Sequence, residues 1–256
     1  MFFYQYRLIM LVFVIPLKSR NISKSWEHVS NLFERCVKSV CNQTSSDFRV
    51  IVVCNEKPQI TFSHPHIIYL EVDYPTPKEQ NPIARGLTDK GRKVLTGLTY
   101  AHRFDPTHAM NVDADDCVSK QLAEFVRHNP QGNGWFINRG YKYRDGEDCL
   151  YLKRKQFYRM SGTANILRWD LLDLPEKPEY NRGYGYYKFY IDHEKVKSIL
   201  ANKGTPLKAL PFSGSVYILG TGENISANEE RLSFNIFNRK ALSKSICDEF
   251  GLYKLP

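Results

Sequence analysis

The densest chemical signal in the chain is Asp113-Ala114-Asp115-Asp116, three carboxylates within four residues. They follow the apolar run Thr107 to Val112, so they are predicted to leave a buried strand at its carboxyl end. Ligands of open α/β sheets collect beyond that end. In extended backbone, residues i and i+2 point to one side, so Asp113 and Asp115 can face one ligand. Carboxylates this close repel each other unless a cation or hydrogen-bond donors offset them. A hard divalent ion, Mg2+ or Mn2+, suits oxygen ligands and commonly bridges to phosphates. The plainer alternative is an acidic turn that caps a helix starting near Ser119.

Other elements must position that cluster. Met10 to Ile15, Phe48 to Val53 and His66 to Val72 are apolar runs rich in β-branched residues, as expected for buried parallel strands. Between the first two, Trp26, Val29, Leu32, Phe33, Cys36, Val37 and Val40 recur at helical spacing behind Ser23 or Ser25 as cap. Residues 74–87 contain Pro75, Pro77 and Pro82 and read as a loop. Asp89 to His102 reads as a helix. The order strand, helix, strand, strand, helix, strand predicts an α/β domain with a mainly parallel sheet.

The second half changes character. Gly134 to Ile137, Tyr141 to Tyr143, Leu150 to Phe157 and Ser215 to Leu219 read as strands. Asp192 to Leu200 and Glu229 to Phe250 read as helices. Ser161 to Asn165 reads as a small-residue loop. No repeat or linker separates the halves, so residues 1–256 are expected to form one domain. Residues 10–118 and 119–256 would be its two halves.

Composition narrows the class. The 256 residues carry 36 Lys plus Arg against 27 Asp plus Glu, a net charge of 36 − 27 = +9, and 13% are aromatic. A disordered chain would be poorer in aromatics. Six cysteines without a CxxC pair argue against zinc and for reduced thiols in a cytoplasmic protein. The sequons at Asn21, Asn42 and Asn224 carry no weight without evidence of secretion. Leu8 to Leu17 is too short to span a bilayer, lacks a small-residue cleavage site, and reads as a first strand; Met10 could be the true start. The densest basic stretch is Lys153-Arg154-Lys155 with Arg159 close behind. It could meet an anionic acceptor or an anionic membrane surface, which would make the protein peripheral to the membrane.

Asp113-Ala114-Asp115-Asp116 after a short strand resembles the DxD motif of GT-A glycosyltransferases, especially the family 2 type. Other segments fall in a matching order. Val12 to Arg20 resembles the first strand and the loop that cradles the base. Phe48 to Asn55 resembles the second strand, Asp89 to Leu98 the helix before the DxD strand, and Ser161 to Arg168 the loop at the donor sugar. The resemblance covers roughly residues 10–225. It implies a GT-A fold, a Rossmann-like central sheet flanked by helices with a smaller mixed β region. It further implies an NDP-sugar donor, a UDP-sugar by preference, with Mn2+ or Mg2+ on its diphosphate.

Carried over residue by residue, the resemblance puts Asp113, Asp115 and Asp116 at the metal. Pro16, Lys18, Ser19, Asp113, Ala114 and Gly162 would line the donor. Lys90, Arg92 and Lys93 could add positive charge near the phosphates. Relatives place an Asp after the second strand to bind the base. Here the sequence has Cys54-Asn55-Glu56, so Asn55 or Asp73 would substitute. A general base for the acceptor hydroxyl is expected beyond the sugar loop, at Asp192 or Glu194, with Asp192 favoured and His193 as another choice. Arg182 to Tyr187 would form an acceptor-side loop. A late metal-binding His has no counterpart in Tyr217 to Asn224. Trp135, Phe136, Tyr141, Tyr143 and Trp169 are core aromatics or sugar-stacking faces.

The expected activity is metal-dependent, inverting transfer of a sugar to a hydroxyl acceptor on a glycan, lipid or protein. Two rivals remain. One is a nucleotide-sugar or carbohydrate-binding protein without turnover, mildly favoured by the missing His. The other is a sugar nucleotidyltransferase, disfavoured because Leu17-Lys18-Ser19-Arg20 contains no Gly. No nucleic-acid module appears.

Overall fold

The computed structural model describes residues 9–223 and 236–255. The expectations for residues 1–8, Asn224 and Glu229 to Asn235 lie outside them. The first strand, β1 (Leu11–Pro16), is buried along its whole length. Leu11, Phe13 and Ile15 join one apolar cluster, and Met10, Val12 and Val14 join another. A strand alternates its side chains, so two apolar layers require cover on both faces. Helix α1 (Trp26–Cys41) supplies Phe33, Cys36, Val37 and Val40 to the first layer. Helix α2 (Pro82–Ala101) supplies Val94, Leu98 and Ala101 to the second.

β1 pairs in parallel with β2 (Phe48–Cys54) on one side and β4 (His108–Asn111) on the other, and β3 (Ile67–Glu71) extends the β2 side. Beyond β4 lie β9 (Asn165–Arg168), β6 (Gly134–Phe136) and β10 (Lys208–Ala209), giving seven strands in the order β10-β6-β9-β4-β1-β2-β3. β9 alone runs against the others. The α/β class with a mostly parallel central sheet and flanking helices is therefore the observed architecture.

The smaller mixed β region is a second sheet of five strands, β12-β8-β7-β11-β5. It holds β5 (Cys117–Val118), β7 (Arg139–Arg144), β8 (Cys149–Lys153), β11 (Ser213–Leu219) and β12 (Arg239–Ala241). Tyr143, Leu150, Val216 and Ile218 form its buried layer with Phe250 of α6 (Lys244–Phe250).

Several expectations need correcting. α2 starts at Pro82 rather than Asp89, because Asn81 caps it by accepting from the Ile83 and Ala84 amides at 2.9 and 3.1 Å. Proline at the first helical position costs nothing, since that amide has no helical partner. Leu122–His128 forms α3. Tyr184 to Tyr187, read as a loop, opens α4 (Tyr184–Ile191), and the next helix, α5, runs Val196–Asn202. Within 236–250 the expected single helix is a 3-10 turn, β12 and α6. Trp135, Phe136 and Tyr143 are buried core aromatics, Tyr141 packs edge-on against Phe250, and Trp169 stacks on His102. All six cysteines are free thiols. No helix among the described residues is long and apolar enough to cross a membrane.

Candidate active site

From β1 the chain steps through β2 to β3 in one direction, then crosses by α2 to β4 on the other flank of β1. The carboxyl ends of β1 and β4 therefore diverge into a crevice, the place where open α/β sheets take ligands. Val14 stands level with Asn111, and the Val112 amide donates to the Val14 carbonyl at 2.9 Å. Asp113 leaves β4 at this point.

Residues 113–116 form a turn closed by the Asp116 amide on the Asp113 carbonyl at 3.0 Å. The Asp113 amide donates to Thr163 Oγ1 at 2.9 Å, which fixes the turn to the 161–164 loop. The Asp113 carboxylate pairs with the Lys90 ammonium from α2. Gly162 closes over this pair. A Cβ added there would stand 2.5 Å from Asp113 Oδ2 and 2.7 Å from Lys90 Nζ.

Asp115 is half-buried, and no side chain among the described residues donates a hydrogen bond to it. Burial, reinforced by the Asp113 charge, pushes its carboxyl up to about 7. Asp116 points inward. Its oxygens accept from Ser161 Oγ at 2.9 Å and from the Ile218 amide at 3.1 Å, and burial pushes its carboxyl well above the ordinary range. Asp116 thus joins the turn, the 161–163 loop and β11. In this structure it is a structural tie, with both oxygens engaged by protein donors. Among the described residues no group of three His, Cys, Asp or Glu side chains gathers to hold a metal. Asp113 and Asp115 remain as oxygen donors. A carboxylate destabilised by burial and a like charge fits a divalent cation, and Mg2+ is commonly held by one or two carboxylates plus phosphate oxygens.

The other expected residues separate into two groups. Lys90 and Gly162 meet at Asp113. Lys93 does not face the crevice: it is fully buried and donates to Asp89 at 2.7 Å and to the Leu17 carbonyl at 2.8 Å. Arg92 is likewise held by Asp89 and by the Pro75 carbonyl at 2.6 Å. Pro16 ends β1, and Ala114 is half-buried beside the core. Lys18 is paired with Glu223 at 2.5 Å. Ser19 caps a short 3-10 turn and donates to Glu56 at 3.1 Å. Asn55 donates to the Val72 carbonyl at 3.1 Å, and Asp73 stands exposed beyond β3.

Of the expected bases, Asp192 ends α4 and accepts from the Lys195 amide at 3.3 Å, while exposed Glu194 pairs with Arg159 at 2.6 Å. His193, between them, turns inward and lines a cavity of about 30 Å3 with Lys90, Asn111, Gly162 and Asn165. That space holds about two waters. Burial and then the Lys90 charge pull the imidazole below its ordinary range, outweighing the Asp113 charge and the Arg159 carbonyl. Two asparagines locate this segment. Asn111 Nδ2 donates to the Tyr190 carbonyl at 2.6 Å, and Asn165 Nδ2 to the His193 carbonyl at 2.9 Å. Neither clamp was evident in the sequence; polar Asn at the ends of buried strands was the available signal.

No family model matches the chain, and no curated protein matches it. Solved structures do superpose on it. S. aureus TarS, residues 1–349, matches with a TM-score of 0.47 at 10% identity, covering 82% of this chain and 60% of its own. The same protein in complex with UDP-GlcNAc gives a TM-score of 0.43 at 10% identity, covering 86% and 61%. Francisella tularensis 2-C-methyl-D-erythritol 4-phosphate cytidylyltransferase gives 0.40 at 13% identity, covering 86% of this chain and 96% of its own. The chain thus spans about 60% of the TarS fragment. At such scores the likeness carries neither a reaction nor a ligand across.

Proposed function

We propose that this chain is a glycosyltransferase of the GT-A type, moving a sugar from an NDP-sugar, a UDP-sugar by preference, to a hydroxyl acceptor. The carrying observation is the pair of half-buried carboxylates, Asp113 and Asp115, at the strand-order crevice with Lys90 and Gly162 against them. Residues 10–118 and 119–256 act as one unit in this reading, since Asp116 and Thr163 tie the two halves at the site.

Asp113 and Asp115 would hold a Mn2+ or Mg2+ ion. Bound there, the ion would act as a Lewis acid on the departing diphosphate, whose charge grows as the glycosidic bond breaks. Lys90 supplies further positive charge at the same place. Gly162 keeps the backbone close enough for a ligand to approach. His193 is the base in this reading, in place of Asp192 and Glu194: as a neutral imidazole facing the cavity it can take the acceptor proton.

Thermal unfolding tests the donor site. UDP with Mn2+ should raise the unfolding temperature, because a ligand that binds only the native state stabilises it, by about 2.7 kcal/mol at a hundredfold excess over Kd. Asp115→Asn should abolish that rise while leaving the unliganded protein folded. Released UDP, rather than pyrophosphate, separates sugar transfer from nucleotidyl transfer. An unchanged response in Asp115→Asn sinks the reading.

The base assignment has its own test. His193 must be neutral to accept a proton, and its lowered pKa keeps it neutral further into acid than a free imidazole. Transfer should therefore fall with acid along a limb centred below about 6.5, the ordinary His value, and His193→Asn should remove that limb. Survival of the limb in His193→Asn would return the role to Asp192.

A further inference from the structure

Strands β4 and β9 run antiparallel with Met110 level with Ile166, so Asn111 and Asn165 lie at the same end of the pair. Side chains alternate along a strand, which puts Ala109 with Asn111 and Leu167 with Asn165 on one face. These side chains line the cavity of about 30 Å3 beside His193, and Leu98 of α2 and Leu172 extend its apolar wall. Lys90 and Gly162 line it too. Both stand against the Asp113 carboxylate, so the cavity leads off the candidate donor site.

Its polar lining is not fully paired. Asn111 Nδ2 and Asn165 Nδ2 are spent on the Tyr190 and His193 carbonyls. Asn165 Oδ1, the other half of that amide, is buried and has no hydrogen-bond donor among the described residues. A buried acceptor left without a donor is costly, so such atoms are normally paired. The partner must carry an N–H or O–H and must enter the cavity. Space for about two waters admits a substituent, not a sugar ring. The apolar wall of the same space calls for an apolar end on that substituent. A bare hydroxyl would satisfy Asn165 and leave the wall without a contact. An acetamido group has both parts. Its N–H meets Asn165 Oδ1, and its methyl meets Leu98, Ala109, Leu167 and Leu172. Its carbonyl can accept from Lys90, whose ammonium has N–H donors beyond the one on Asp113.

We propose that Asn165 and the apolar cavity beside it select an N-acetylated sugar on the nucleotide donor. This rests on the transferase reading of the Asp113 site and names the donor class that the reading leaves open.

Calorimetric titration of the full chain in the presence of Mn2+ tests it. UDP-N-acetylglucosamine and UDP-N-acetylgalactosamine should bind about tenfold or more tighter than UDP-glucose and UDP-galactose. Asn165→Leu keeps the bulk and removes the acceptor, and it should bring the acetylated donors close to their unacetylated counterparts. Ala109→Val should do the same by filling the cavity from β4, and it serves if Asn165→Leu fails to fold. UDP carries no sugar and reports the nucleotide site separately. A merely structural role for Asn165, as holder of the His193 segment, would not change the preference between donors. Equal binding of acetylated and unacetylated donors, with UDP bound, overturns the inference and leaves the transferase reading standing. A preference that survives both substitutions overturns it as well. Failure of UDP itself to bind removes the inference and the reading together.

Discussion

Replacing Asp89 with alanine is expected to cost about 3–5 kcal/mol of folding stability, the range found when one partner of a buried ion pair is removed. Asp89 holds two cations. One oxygen accepts from Arg92 at 3.1 and 2.6 Å, and the other from Lys93 at 2.7 Å. All three residues are buried. Burial pulls Lys93 below its ordinary range even with the Asp89 charge opposing it. Without Asp89 the ammonium would keep only the Leu17 carbonyl. For a chain of this size the loss corresponds to a fall in unfolding temperature of roughly 10 °C.

The sign of a pH effect follows. A lysine whose folded pKa lies below its unfolded one binds fewer protons in the native state, so its penalty is full at low pH and fades as pH rises toward the unfolded value. Removing Asp89 depresses Lys93 further. The deficit of Asp89→Ala should therefore shrink between neutral pH and about pH 10, measured by urea unfolding. Adding Lys93→Met should recover part of it at neutral pH. A deficit independent of pH and of Lys93 would mean that the pair is not what holds α2 to the loop after β1.

That network marks the boundary of what the sequence makes legible. The strands β1, β2 and β4 could be read because their apolar runs are buried on both faces, and the acidic turn because it follows one of them, whereas β3, expected to be buried, is a half-buried edge strand of the sheet. The direction of each acidic side chain could not be read. Asp113, Asp115 and Asp116 are equivalent in sequence, yet Asp116 turns inward to Ser161 and Ile218, which lie 45 and 102 residues away in the chain. Lys90 and Lys93 differ in the same way. One turn of helix separates a lysine on the crevice from a lysine in the core, and only the Leu17 carbonyl and Asp89 distinguish them. The helix start at Pro82 was hidden because proline signals both a break and a first turn.

Gly162→Ala is expected to leave the fold within about 1 kcal/mol of the parent and to reduce transfer by about a hundredfold or more. Gly162 is not among the residues with positive φ, so alanine meets no backbone strain. The added Cβ instead meets the ends of two side chains, Asp113 Oδ2 at 2.5 Å and Lys90 Nζ at 2.7 Å, which can rotate away. Folding therefore tolerates the change, but the carboxylate and the ammonium lose their places. A displacement of about 1 Å at reacting groups can cost about a hundredfold in rate. Gly134→Ala is the contrasting control. There φ is +125° and the Cβ would stand 2.1 Å from the Ile166 carbonyl oxygen, a backbone atom that cannot turn aside, so stability rather than activity should fall. Soluble, cooperatively unfolding Gly162→Ala with full donor turnover would show that Asp113 and Lys90 need not hold this geometry, and would remove them from the site. Loss of turnover with intact unfolding would assign the glycine to the chemistry: it keeps a methyl group from where the acidic turn, α2 and the 161–164 loop converge.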